Sequence, residues 1–553
     1  MGNDSKVFQT RSKNRFSAFG TALIDGTCAV DKGGCAAQGP QPSLMRFLRE
    51  GYTRDPFKQL LVGQDESITY AQAYLRAVAL ARYLRDSHGI GQGKTVLVAA
   101  ANATACPYVL ASVQLCGARL AIMSPTIERA EFVRMLSLAK PDIAIMASEA
   151  QCRMAEGTSP SLTVLTLACP GAPVPIVEDI AREVSAVGPD DGGFPDVDDP
   201  EVVLFTSGST GLPKAVVHRS SSFLRSGRVL DDALRATSAD VFFVPVPFAH
   251  VYGIVGLYAA LSLGATVVTG AKYRPETSLA LISATRASLY FGVSTMYLRE
   301  LRANQDESWD LSCLRAGLVA GASCPEVVFR EYERRYGCRI IQSYGMTETA
   351  AALTVSELDD PLEVRANTVG RPISGARARI LKDGEVACSS PSMMTGLLDS
   401  AGSCCWPFED EGWLRTGDAG SVGEDGRLRI TGRLKDMIIR GGINIFPAEV
   451  ENAYQGHPDV AECCLVGYPD PELGERSCLC VIENDGAGAS AFALRGYAKG
   501  RVEKCKMPDV VLKLDAFPRL NNGKIDKKAL KESVKAVLTA PHVSRPAGTG
   551  ESR

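Results

Sequence analysis

The stretch Leu204–Arg219 reads LFTSGSTGLPKAVVHR, an apolar run that breaks into a loop of hydroxyls and glycines and passes through a lysine. Gly208 and Gly211 tolerate positive φ and carry no Cβ, so backbone N–H groups there can converge on an anion. Thr206, Ser207, Ser209 and Thr210 add hydroxyl donors, Pro213 stiffens the exit and Lys214 supplies a compact cation. The pattern predicts a strand feeding a polyphosphate loop, and the ligand expected there is a nucleoside triphosphate. It is not a GxxxxGK[ST] loop, because Pro213 stands where a glycine would precede the lysine.

Composition sets the frame for that loop. A chain of 553 residues is too long for one core, so at least two domains are expected. With 45% hydrophobic residues, 22% charged residues and a net charge of −3, it reads as an ordinary soluble protein, with neither nucleic acid nor a membrane surface as partner. The 17 cysteines are scattered without a CxxC pair and only 5 histidines accompany them, which argues against zinc and against a disulfide framework. That usage suits a reducing cytoplasm. The opening MGNDSKVFQTRSKNRF has no signal-peptide core, and Ser5 and Lys6 spoil a myristoylation signal. Val96–Met123, the most apolar stretch, is interrupted by Asn102, Pro107, Gln114 and Arg119 and reads as a strand and a buried helix.

Along the chain, residues 1–40 are aperiodic and read as a loosely ordered lead-in. From Ser43, helical patterns such as Ala71–Asp86 alternate with short apolar strands such as Lys94–Ala101, the rhythm of a parallel α/β fold. GIGQGKT (Gly89–Thr95) lacks the first glycine of a nucleotide loop and precedes a strand, so it reads as a helix-to-strand turn. A helix and strand follow in Ile127–Ala147, and Gly188–Pro200 reads as a linker up to the phosphate loop. Further strands and helices are expected at Val241–Val246, Ile254–Leu263, Ala265–Thr269 and Ala316–Ala320, with a domain break near Gly432. The expected units are 41–434, 435–538 and a disordered tail at 539–553.

Further segments come in a fixed order after TSGSTGLPK, and together they resemble the adenylate-forming superfamily of acyl- and aryl-CoA ligases, nonribosomal adenylation domains and firefly-type luciferases. Ala215 departs from the glycine usual there. In QSYGMTETA (Gln342–Ala350) the resemblance implies that Tyr344 stacks on adenine and Thr347 bonds the α-phosphate, while Glu348, with Thr210, holds Mg²⁺. AGASCP (Ala320–Pro325) resembles the segment lining the adenine and acyl pockets, through Gly321 and Ala322. In GWLRTGDAG (Gly412–Gly420), Asp418 resembles the carboxylate that accepts both ribose hydroxyls. In GRLKDMIIRGGINIFPAEVE (Gly432–Glu451), Arg433 resembles the ribose-contacting arginine, Lys435 the interdomain hinge, and Gly441 and Gly442 the pantetheine tunnel. In PRLNNGKIDKKAL (Pro518–Leu530), Lys524 resembles the lysine that bridges the substrate carboxylate and the α-phosphate. Each segment alone also reads as a turn, a cap or a solvated basic face; their order is what points to the family.

VPVPFAHVYGIVGL (Val244–Leu257) resembles the acyl-pocket segment of CoA ligases, contributing His250, Tyr252 and Gly253. Gly292 and Val293, Gly317 and Ser343 are the other walls that the resemblance implies. No aspartate is present to pair a substrate ammonium, which argues against an amino acid. Ser294, Ser343 and Leu397 depart from the family's usual proline, glycine and tyrosine, and few charges occur among these segments. The acid expected is therefore apolar: aromatic, alicyclic, polycyclic or medium-chain. The fold class implied is α/β, a large N-terminal domain of layered αβ subdomains with a smaller β subdomain, followed by a small, mobile α+β C-terminal domain. The function implied is formation of an acyl-adenylate from ATP and a carboxylic acid, then of a thioester with coenzyme A, Mg²⁺ assisting. A carrier-protein pantetheine as acceptor, the adenylation half alone, and a non-catalytic nucleotide-binding relative are the alternatives.

Overall fold

The structure is a computed structural model that describes residues 23–25, 43–167, 176–184, 194, 199–207, 213–406, 412–484, 487–488, 490–519 and 524–538. Gly208, Ser209, Thr210 and Gly211, most of the lead-in and of the 188–200 linker, and the 539–553 tail lie outside these residues.

The loop-bearing hairpin belongs to an eight-stranded sheet. Its parallel part runs Glu201–Ser207, Arg119–Met123, Thr95–Ala99, Ile143–Met146 and Thr163–Thr166, and Pro213–Arg219 turns back antiparallel on Glu201–Ser207. The strands are near-continuous Val, Ile, Leu and Ala because helices cover both faces. Helix Tyr70–His88 shows how one such cover is specified. Thr69 and Gln72 form a capping box, Ala73, Ala77, Leu80, Ala81 and Leu84 face inward at helical spacing, and Gly89 at φ 63° ends it in the left-handed region. Glycine there makes Gly89–Thr95 the turn that the sequence suggests.

A nine-stranded sheet carries a second parallel run, Gln59–Val62, Thr266–Val268, Val241–Phe243, Leu289–Gly292, Ala316–Val319 and Arg339–Tyr344. The strand expected over Val241–Val246 stops at Phe243. Pro245 and Pro247 cannot donate to a ladder, and Asn102 holds the continuation as a loop through Val246 O at 3.0 Å and Phe248 N at 2.9 Å. A five-stranded antiparallel sheet follows, Leu23–Asp25, Arg377–Ile380, Glu385–Ser389, Leu414–Val422 and Leu428–Arg433. Leu23–Asp25 falls within the lead-in expected to be loosely ordered; its backbone pairs with Arg377–Arg379, which corrects that reading for those residues.

Beyond Arg433 a turn, Leu434–Asp436, leads to the sheet of Ile438–Arg440, Ile443–Ile445, Gly474–Glu483, Val460–Asp470 and Val510–Lys513. Helices Pro447–Gln455 and Lys527–Leu538 cover it, and it has its own apolar clusters around Leu465 and Leu479 and around Cys478 and Leu530. Among the described residues no helix is long and apolar enough to cross a membrane.

Candidate active site

The parallel strands of the eight-stranded sheet end where the phosphate loop begins, the edge at which open α/β sheets bind ligands. Thr206 lies opposite Lys214 and Ser207 opposite Pro213 in the hairpin register, so Lys214 stands at the mouth of the loop with its side chain exposed. His218, two strand positions past Val216 and on the face opposite Val217, is fully buried. Its Nε2 lies 2.7 Å from Thr347 O, and since a carbonyl only accepts, Nε2 carries the proton. Burial pushes the imidazole pKa down to about 4, so the ring is neutral at physiological pH.

Strand Arg339–Tyr344 delivers the Thr347–Thr349 turn. Gly345 has no alternative residue, because a Cβ there would stand 2.2 Å from Ala351 O. Met394 N donates to Glu348 O at 2.8 Å and fixes the turn from the other side. The Glu348 carboxyl is pushed up by burial, while the cations of Lys214 and Arg433 pull it down. A carboxylate held dry beside these cations is suited to a divalent cation carried mainly by phosphate oxygens, so the residue fits Mg²⁺ brought with a nucleotide.

Asp418 and Arg433 are direct partners across adjacent strands. Asp418 Oδ1 pairs with Arg433 Nε at 3.0 Å, and Tyr344 donates its hydroxyl to Asp418 Oδ2 at 2.7 Å. The carboxylate is 4% exposed, and burial raises its pKa against the pull of Arg433. An ionised carboxylate has about four lone-pair sites, so two remain for ribose hydroxyls.

Lys524 reaches this group from the small domain. Part of its side chain is open to solvent, yet withdrawal from water lowers its ammonium pKa, and Arg433 and Lys435 lower it further. His250 in turn has its pKa lowered, first by burial and then by the charge of Lys524. Lys214, Glu348, Tyr344, Asp418, Arg433, Lys435, Lys524 and His250 are thus linked electrostatically or by hydrogen bonds into one site.

The glycines assigned to the acyl pocket are placed differently. A Cβ on Gly253 would stand 2.1 Å from Pro247 O, so this glycine packs the helix Val251–Leu263 against the loop before it. A Cβ on Gly292 would meet the Tyr290 ring at 2.8 Å, and one on Gly317 the Tyr297 hydroxyl at 2.7 Å. Both glycines therefore make room for these tyrosine side chains. Tyr252 and Tyr297 both donate to Leu318 O, at 2.7 and 3.2 Å, and Ser343 donates to Thr354 O at 3.0 Å. Gly321, at φ 81°, has only Val293 near the position of a Cβ, at 3.9 Å, and Ala322 follows it exposed. Gly441 and Gly442, at φ 57° and 80°, form the two-residue turn between Ile438–Arg440 and Ile443–Ile445, exposed and tied to Leu473 O at 2.8 Å.

Sequence reasoning missed Asn102, which noted only as an interruption is the residue shaping the loop that ends at His250. It also missed His218, whose only signal is a histidine inside an apolar strand pattern.

The family model of AMP-binding enzymes matches residues 48–398, and that of the AMP-binding enzyme C-terminal domain matches residues 449–524. The chain belongs to the AMP-binding enzyme family. It is 34% identical over 362 residues to the 3-[(3aS,4S,7aS)-7a-methyl-1,5-dioxo-octahydro-1H-inden-4-yl]propanoyl:CoA ligase of Mycobacterium tuberculosis, covering 64% of this chain and 68% of that protein. It is 33% identical over 357 residues to the medium-chain fatty-acid–CoA ligase of Escherichia coli, covering 62% of each. The chain thus spans a little under to a little over two thirds of these relatives' own length. The o-succinylbenzoate coenzyme A synthetase of Bacillus subtilis, solved with ATP and magnesium ion, has the same fold at a TM-score of 0.74 and 24% identity, covering 88% of this chain and 99% of that one. The AMP-binding enzyme fold of two unequal domains accounts for the break after Arg433.

Proposed function

We propose that this AMP-binding enzyme is an ATP-dependent carboxylic acid:CoA ligase acting on an apolar acid. The observation that carries the reading is the convergence of Lys524 from the small domain with Arg433, Lys435 and His250, beside Glu348 and Lys214. Cations from two domains meet where a carboxylate and a triphosphate would bring negative charge together. Asp418, Arg433 and Tyr344 hold the ribose and adenine end; Lys214 and the loop before it take the phosphates. Magnesium, when bound with the nucleotide at Glu348 and Thr210, neutralises charge on the phosphate oxygens.

In the first half-reaction a carboxylate oxygen attacks the α-phosphorus, and the bond to the β-phosphate oxygen breaks to release pyrophosphate. Lys524 stabilises the charge that gathers between the carboxylate and the α-phosphate, and Thr347 donates to the same phosphate. In the second, the sulfur of coenzyme A attacks the acyl carbon, AMP leaves with the electron pair of the broken C–O bond, and the thiol proton is lost to solvent. No acid–base dyad is required, because the adenylate is already activated. Lys524 vacates the site first, by rotation of the small domain about Lys435, so that the Gly441–Gly442 hairpin takes its place. Two relatives whose names give a bicyclic propanoate and a medium-chain fatty acid support an apolar acid here, as do pocket segments poor in charge. The cytoplasmic location expected from cysteine usage agrees with this chemistry.

The test is pyrophosphate release with Mg²⁺ATP across aromatic, alicyclic, polycyclic and medium-chain acids, each with and without coenzyme A. Pyrophosphate matched by acyl-CoA for one class supports the reading and names the acid. Pyrophosphate without acyl-CoA moves the reading to carrier-protein loading or to the adenylation half alone, and no ATP turnover with any acid overturns the ligase.

A further inference from the structure

We infer that Arg302 is a docking latch that holds the small domain in the arrangement required for adenylation and must open before thioester formation; the inference rests on the ligase reading. Arg302 lies in the last turn of helix Ser294–Ala303, in the large domain. Its guanidinium crosses to the small domain, where Nη2 donates to Val460 O at 2.7 Å and Nη1 to Ala461 O at 3.0 Å and to Asn484 Oδ1 at 3.4 Å. The receiving surface is built in advance. Asn484 Nδ2 donates to Pro458 O at 2.5 Å and Asn484 N to Asp459 O at 3.0 Å, clipping the turn that enters strand Val460–Asp470 so that its carbonyls face outward.

A fork of five rigid donors on carbonyls gives directional docking without an apolar seal. The surroundings match a contact that opens. Arg302 borders a cleft of about 430 Å³ lined by both charged and apolar side chains, among them Arg299, Glu462, Ile482, Phe517 and Arg519, so the domains here are separated by space and not joined by a packed core. A further polar contact, Ser323 Oγ to Asn452 Oδ1 at 2.8 Å, joins the same two domains. The arrangement that these contacts hold is the one in which the charge of Lys524 reaches His250. The ten-residue helix Ser294–Ala303 begins directly after Gly292 and Val293, so one rigid rod connects the segment assigned by resemblance to the acyl pocket with the latch near its end. Arg302 is a positioning residue: it acts on the reaction through the placement of Lys524.

The test separates the half-reactions in the full-length enzyme. Acid-dependent exchange of labelled pyrophosphate into ATP reads adenylation; thiolysis of supplied acyl-adenylate by coenzyme A reads the second half. Arg302→Ala is expected to lower exchange on the order of tenfold while thiolysis holds or rises, with Arg302→Lys between the two. Equal losses in both halves, or unchanged exchange, overturn the latch. Tryptic cleavage at the exposed hinge Arg433–Lys435 gives a readout that needs no activity: it accelerates in Arg302→Ala if the domain undocks, and an unchanged rate contradicts the proposal. Wild-type enzyme that exchanges no pyrophosphate with any acid defeats the ligase reading alone, and the proteolysis then decides the latch.

Discussion

His218 Nε2 lies 2.7 Å from the carbonyl oxygen of Thr347, joining the strand that leaves the phosphate loop to the turn that carries Glu348. The ring is buried against Phe223, with centroids 5.0 Å apart, and Nδ1 has no partner in the structure. One imidazole therefore fixes the spacing of strand Pro213–Arg219 and the turn Thr347–Thr349.

Burial of that ring, which outweighs the bond to Thr347, makes stability depend on acid. The folded pKa of about 4 lies below the ordinary 6.5, so between these values the unfolded chain binds a proton that the native ring refuses. Stability is expected to fall by roughly 3 kcal/mol as pH drops from about 6.5 to about 4. His218→Gln keeps a donor and loses the titration. Urea unfolding from pH 4 to 7 should show a flatter pH profile for the variant; an unchanged slope would mean that another group carries the acid sensitivity. His218→Ala, which orphans the Thr347 carbonyl, should also slow adenylation about tenfold.

Asp231 carries the opposite dependence. It lies on helix Ser220–Leu234, 4% exposed, with neither carboxyl oxygen partnered among the described residues. Burial, then the charges of Asp232 and Asp240, push its pKa up to about 8. The folded value exceeds the unfolded one, so its cost to stability is absent at low pH and grows as pH rises toward 8. Asp231→Asn is expected to stabilise the protein by about 1–3 kcal/mol at pH 8 and by little at pH 4, as read by denaturant midpoints. Destabilisation at pH 8 would show that the carboxylate is used.

Tyr344 donates its hydroxyl to Asp418, and in the proposed reading its flat face takes the adenine. Tyr344→Phe retains the face and frees one carboxylate oxygen. The KM for ATP is expected to rise roughly fivefold to tenfold with kcat little changed, the signature of lost ground-state and transition-state binding together. A fall in kcat at constant KM would place the hydroxyl at the reacting atoms.

The layered α/β fold was legible because strand and helix periods, the capping residues around Tyr70–His88 and the ordered motifs agree with one another. Asp418 and Arg433, which resemblance assigns to one ribose end, are direct cross-strand partners in the structure. What sequence could not supply was the direction of side chains. Gly292 and Gly317 are assigned to the pocket by resemblance, and the packing of Tyr290 and Tyr297 that requires glycine at these positions was not legible. Asn102, His218 and Arg302 act across 100 residues or more of chain, through single polar bonds that no periodicity encodes.

The central claim is that Lys524 performs adenylation from the small domain and has no part in thiolysis. Single-turnover measurement of both half-reactions in Lys524→Ala tests it directly. The account predicts adenylation lowered by roughly two to three orders of magnitude, thiolysis of supplied acyl-adenylate preserved, and, in the wild type, an adenylation rate that declines with rising pH earlier than an ordinary lysine would titrate, since its pKa is lowered. Adenylation at the wild-type rate in Lys524→Ala, or an equal loss in both half-reactions, would contradict it.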